Sequence, residues 1–113
     1  MDPATLFKTL ADDTRLRCLM LLTGEEELCV CELGFALGVA QPKISRHLAL
    51  LRSSSVVLDR RSGQWIYYRI HPELPDWAHA ILQQAALGAQ EVDPFQDDRR
   101  RLLAMAGRPV RCG

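Results

Sequence analysis

Apolar residues recur at helical spacing through the first half of the chain, give way to a β-branched and aromatic stretch, and then return to helical spacing. Leu6, Phe7 and Leu10 predict a short helix over 3–11, with Pro3 suited to its first turn. Asp12 and Asp13 are helix-start residues. They open a second helix over 14–22 with Leu16, Leu19 and Met20 at core spacing, ended by Gly24 and Glu25-Glu26-Glu27. A third, short helix is predicted over 31–37 and stops at Gly38. Gly38-Val39-Ala40 forms a turn, and a fourth helix runs from Gln41, with Pro42 in its first turn, to about Ser53. Ile44, Leu48 and Leu51 repeat at i, i+4, i+7 and make one buried stripe.

The period then changes. Val56 to Arg60 and Gln64 to Ile70 predict two strands, with Arg61-Ser62-Gly63 as the hairpin turn. A further helix is predicted over 75–89, where Trp77, Ala78, Ile81, Leu82 and Ala85 form an apolar stripe wide enough to call for a second subunit. Residues 94–106 offer one more short helix, stopped by Gly107, before a tail expected to be flexible from Arg108. Three helices closed by a hairpin give the order of a winged helix: an α+β fold, mostly α, with a two-stranded wing, working as a homodimer. The expected division is a DNA-binding and dimerisation domain over 1–92 and a C-terminal extension over 93–113.

At 113 residues and 48% apolar, the chain can bury one small core, which a dimer interface would help to stabilise. No apolar run is long enough to span a membrane and no signal-peptide pattern opens the chain, so a cytoplasmic protein is expected, without a membrane partner. In that compartment Cys18, Cys29, Cys31 and Cys112 read as free thiols or ligands rather than disulfides. Net charge is zero, but it is unevenly placed. Residues 1–40 carry three basic and seven acidic side chains, and residues 72–113 carry five and six. Residues 41–71 hold Lys43, Arg46, Arg52, Arg60, Arg61 and Arg69 against Asp59 alone. Local rather than net charge governs phosphate contacts, so the middle third is where double-stranded DNA would lie.

With its apolar stripe turned inward, the fourth helix turns Lys43, Ser45 and Arg46 outward and leaves His47 on a shoulder. Gln41 and Lys43 stand at the end that would enter a major groove, where Gln pairs with adenine and Arg with guanine. Arg60 and Arg61, placed at the hairpin tip, would meet phosphates or the minor groove. A solvated basic face is the plain alternative.

Cys29-Val30-Cys31 lies just upstream of this element. Paired thiolates suit soft ions such as As(III), Sb(III), Cd(II), Pb(II) and Zn(II). Residues i and i+2 of a helix point about 200° apart, so the two sulfurs would meet on one ion only if the start of the third helix unwinds. Such unwinding would tilt the support of the fourth helix and set ion binding against DNA binding, in both directions. A closed four-ligand zinc site is not encoded. His71, Asp76 and His79 supply too few ligands for a second site. A thiol redox switch is a further possibility for the pair. No phosphate-binding loop, paired carboxylates or CxxC redox motif suggests an enzyme, and no catalytic cofactor is implied.

Leu10-Ala11-Asp12-Asp13-Thr14-Arg15-Leu16, Glu27-Leu28-Cys29-Val30-Cys31-Glu32-Leu33, Gln41 through Arg52, and Asp59 through Arg69 together resemble the ArsR/SmtB family of metal-responsive repressors. More narrowly, they resemble its arsenical-resistance repressors, over about residues 5–85. The resemblance implies a winged-helix homodimer on operator DNA, released when Cys29 and Cys31 bind As(III) or Sb(III). Methylarsenite, Cd(II), Pb(II) and thiol oxidation are the alternative signals. The chain departs from the family in two places. Gly34 stands where a third cysteine is common, so a third ligand would come from Cys18, Cys112, a small-molecule thiol, hydroxide or a methyl group. Ala40 stands where Ser often caps the fourth helix.

Overall fold

The structure, a computed structural model, describes residues 1–105. The elements run α1 (Pro3–Leu10), α2 (Asp13–Gly24), β1 (Leu28–Cys29), α3 (Val30–Leu37), α4 (Gln41–Ser53), β2 (Val57–Ser62), β3 (Trp65–Ile70), α5 (Asp76–Ala89) and α6 (Phe95–Ala104). Asp2 and Asp12 cap α1 and α2 by accepting the backbone N–H of Thr5 and Arg15. Gly38, at φ +67, ends α3 in the left-handed region, a conformation that costs glycine little. Gly63, at φ +61, does the same for the hairpin turn between Ser62 and Trp65.

The wing is larger than a hairpin. β1 pairs antiparallel with β3, giving a three-stranded sheet in the order β1-β3-β2. The expected hairpin of β2 and β3 is present, and β1 is added to it; a two-residue strand has no period to detect in the sequence. Leu28 lies opposite Tyr68 and Cys29 opposite Tyr67, while Arg60 lies opposite Tyr67 from the other side.

One core joins these elements. Leu6, Leu19, Leu22, Leu28, Leu33, Ile44, Leu48, Leu51, Val56, Val57, Leu82 and Leu102 are essentially inaccessible. Each such side chain contributes on the order of 1.5–3 kcal/mol by leaving water. Two apolar stripes are only partly buried within this chain. On α1, Leu6 is buried but Phe7 is 54% exposed; on α5, Ala78 and Leu82 are buried but Trp77 is 37% exposed. On α2 the inward row is Thr14, Cys18, Leu21 and Leu22 together with Leu19, while Met20 only borders the core.

The helix expected near the C-terminus is present as α6, and its Leu102 enters the common core. Asp98 is wholly buried and receives Arg17 Nε (2.8 Å), Arg17 Nη2 (2.6 Å) and Arg101 Nη2 (2.8 Å). The same arginines donate to the last carbonyls of α3, Arg17 to Leu37 (2.9 Å) and Arg101 to Ala36 (2.6 Å). The Asp98 hydrogen bond holds the Arg17 guanidinium above its ordinary range, more firmly charged. This network fastens α6 and α2 to the C-terminal end of α3. Gly107, Cys112 and the expected flexible tail lie outside the described residues.

Candidate functional site

Cys29 is the N-cap of α3, with extended backbone (φ −87, ψ 165), and Cys31 is the second residue of the helix. Their Cα atoms are 5.5 Å apart and their sulfurs are joined. Two sequence expectations are corrected here. Free thiols or ligands were expected rather than a disulfide, and the structure joins these two sulfurs. Convergence was expected to require unwinding of the third helix, yet α3 is regular from Val30 onward. The 200° rule holds only when both residues lie inside the helix. Cys29 stands one residue ahead of it, and its extended backbone turns the side chain toward Cys31.

The pair is set in a polar helix start. Glu32 is buried, and its Oε1 accepts the Cys29 N–H at 3.0 Å; with the Cys29 side chain toward the Glu32 N–H this makes a capping box. Cys29 is wholly buried and Cys31 half-buried, so the pair is open to solvent on the Cys31 side. Two sulfurs in contact can share one small soft ion. Among the described residues no group of three or more His, Cys, Asp or Glu is placed to hold a metal ion, and His71, Asp76 and His79 are not brought together as one. Cys18 sits in the core of α2, where burial pushes its thiol up to about 12. Its side chain is fully buried and belongs to the hydrophobic core. Gly34 is buried, and a Cβ there would stand 3.2 Å from the Val39 carbonyl oxygen and 3.4 Å from Gln41 Cγ. The absent third cysteine is thus also a place where α3 and the start of α4 come into close approach.

The exposed basic face of α4 starts at that approach. Ala40 precedes α4 without a side-chain cap, and Pro42 lies in the first turn. Ile44, Leu48 and Leu51 are fully buried, as their spacing predicts. Gln41, Lys43, Ser45 and Arg46 are exposed on the opposite side. His47 is not brought onto that surface. Its side chain is 14% exposed, with Nδ1 3.8 Å from Asp12 Oδ1 and 3.4 Å from Arg15 Nη1, so it ties α4 to the start of α2. The Arg15 backbone N–H, with His47 and Arg15 charge adding to it, holds the Asp12 carboxyl below the usual range.

On the wing, Arg61 is exposed, and no ion pair to it occurs among the described residues. Arg60 is engaged instead. Its Nε and Nη2 each donate to Glu27 at 2.7 Å, and its guanidinium lies 4.6 Å from the Tyr67 ring centroid. Arg52 pairs with Asp59 at 3.0 Å, tying the end of α4 to β2. Glu27 and Tyr67 went unnoticed in the sequence because the strand that aligns them, β1, left no periodic signal.

A profile described as "Bacterial regulatory protein, arsR family" matches residues 12–57. The Arsenic resistance transcriptional regulator ArsR2 of Pseudomonas putida is 52% identical over 109 residues, covering 96% of this chain and 93% of that protein. Among solved structures, the AntR antimony-specific transcriptional repressor superposes with a TM-score of 0.66 at 33% identity, over 78% of this chain and 77% of its own. The homodimeric winged helix-turn-helix DNA-binding domain of Mb0332 from Mycobacterium bovis superposes with a TM-score of 0.63 at 32% identity, over 77% of this chain and 78% of its own.

Proposed function

Because this chain belongs to the arsR family of bacterial regulatory proteins, we propose that it is an arsenical-responsive transcriptional repressor, a DNA-binding regulator and not an enzyme. It binds operator DNA as a homodimer and lets go when trivalent arsenic or antimony is held by Cys29 and Cys31. The observation that carries this reading is the meeting of the two sulfurs at the N-terminus of α3, the helix that supports α4. In the reduced protein each thiol passes its proton to a hydroxyl group leaving arsenite. Two As–S bonds form, two As–O and two S–H bonds break, two waters leave, and arsenic stays trivalent. The remaining position keeps hydroxide, or a methyl group in methylarsenite, or takes a thiol such as Cys112.

Gln41, Lys43, Ser45 and Arg46 of α4 enter the major groove, and Arg61 of the wing meets the backbone. Arg60 and His47 hold the scaffold. Phe7, Trp77 and Leu87, exposed on α1 and α5, meet the second copy. No helix among the described residues is long and apolar enough to cross a membrane, and a cytoplasmic location is in keeping with a DNA-bound regulator.

The test is fluorescence anisotropy on a labelled duplex from the region upstream of the gene. Cys29→Ser and Cys31→Ser are expected to bind the duplex as the parent does and to stay bound at arsenite concentrations that release the parent. Release of the double variant by arsenite sinks the reading. A second reading, release by thiol oxidation, is favoured by the adjacency of the two cysteines at the start of α3. It predicts release by a mild oxidant with no metalloid present, reversed by a dithiol reductant.

A further inference from the structure

With α3 regular beneath the paired sulfurs, the signal needs a route other than unwinding, and the sheet supplies one. Cys29 is a residue of β1 as much as a cap of α3. It lies directly opposite Tyr67 of β3, and Tyr67 lies directly opposite Arg60 of β2. Directly paired residues of an antiparallel sheet share a face, so Cys29, Tyr67 and Arg60 stand in one row across all three strands. Arg60 packs over the Tyr67 ring and reaches past it to the Glu27 carboxylate with two hydrogen bonds of 2.7 Å. Glu27 is two residues before Cys29. The far strand of the wing is therefore fastened to the strand that carries the thiol.

We infer that Glu27 is a positioning residue that couples the thiol pair to the wing: through its ion pair with Arg60 it makes β1, β3 and β2 move as one body when Cys29 takes a ligand. Displacement of Cys29 is then delivered to Arg61, next to Arg60 and four residues along the chain from Trp65 at the other side of the turn. A two-residue strand alone is a weak tie. The bidentate pair adds geometry rather than much stability, because an exposed ion pair contributes little to folding. Arg60 is 56% and Glu27 23% exposed, so breaking the pair leaves the fold standing.

The inference rests on the arsenical-responsive reading, and the experiment separates the two. The quantity to measure is the coupling factor, the ratio of duplex dissociation constants with and without saturating arsenite. A ratio cancels the direct gain in DNA affinity that comes from removing any carboxylate. Glu27→Gln and Arg60→Gln are expected to lower this factor about tenfold each, and the double variant no further, while arsenite affinity of the free protein by calorimetry stays within twofold. Glu26→Gln removes the same charge one residue away, from a side chain outside the pair, and is expected to keep the parent's coupling factor. A Glu27→Gln factor within twofold of the parent overturns the inference, as does an equal loss in Glu26→Gln. If the parent itself is not released by arsenite, the functional reading fails first and takes the inference with it.

Discussion

Four cysteines of one residue type meet different fates according to what surrounds each. Cys29 and Cys31 are joined at a polar helix start, and Cys112 lies beyond the described residues. Cys18 is wholly buried in the hydrophobic core, and loss of solvation is the main reason its thiol is pushed up to about 12. A group whose pKa is raised by folding supports the fold fully below its unfolded value, near 8.5–9 for a thiol, and loses that support as pH climbs toward the folded value. Stability against urea is therefore expected to fall between about pH 9 and 12, and a Cys18→Ala variant, less stable at neutral pH, is expected to show a shallower fall. The same burial makes Cys18 inert. In the native, reduced protein at pH 8, alkylation mapped by mass spectrometry is expected to mark Cys31 early and Cys18 only after unfolding. Modification of Cys18 at the rate of Cys31 would remove its assignment to the core.

Among the elements, α4 was the most legible and β1 the least. A 3.6-residue period bounded by Gly38, Pro42 and the turn after Ser53 fixes a helix and its inward face almost residue by residue. Two residues of strand fix nothing. The start of α3 shows how a rule used past its range becomes a large error in chemistry: the predicted helix begins at residue 31, yet the angle between residues inside a helix is applied to Cys29, which as the N-cap brings its sulfur to that of Cys31. Phe7 and Trp77 stand exposed beside buried neighbours because a stripe reports apolarity, not whether its partner is this chain or another. The α6 network could not be seen at all, since Arg17 and Asp98 are 81 residues apart and only the tertiary fold brings them together. Its weight can still be argued. Asp98→Ala leaves the Arg17 guanidinium, 17% exposed, facing a buried site with no anion. Removing one partner of a buried pair costs roughly 3–5 kcal/mol, and the lower end applies here because Arg101 is 42% exposed and screened by water. A loss of about 3 kcal/mol in urea unfolding is expected for Asp98→Ala, and a smaller one for Asp98→Asn, which keeps an acceptor. A loss under 1 kcal/mol for Asp98→Ala would show that α6 is not fastened to α3 in solution.

At the scale of the whole molecule, a chain of zero net charge is proposed to grip a polyanion. The resolution lies in which cations are already spent. Arg60 is taken by Glu27, Arg52 by Asp59, and Arg17 and Arg101 by Asp98. Arg46 and Arg61 are exposed, and neither makes an ion pair among the described residues. Counterion release counts only cations that newly neutralise phosphate, with the logarithm of affinity falling by about 0.9 per contact for each unit of the logarithm of salt concentration. In a homodimer every substitution is made twice. Arg61→Ala, if its side chain rests on the backbone, is therefore expected to flatten the salt dependence of operator binding by about 2, whereas a monomeric contact would change it by about 1. Arg60→Ala is expected to change the slope by much less, since its charge is balanced before DNA arrives. Equal slopes for the parent and Arg61→Ala would place the wing tip away from the duplex. A slope change for Arg60→Ala as large as that for Arg61→Ala would mean that the Glu27 tie opens on DNA, and that the sheet's outer strand is held by the operator rather than by the protein.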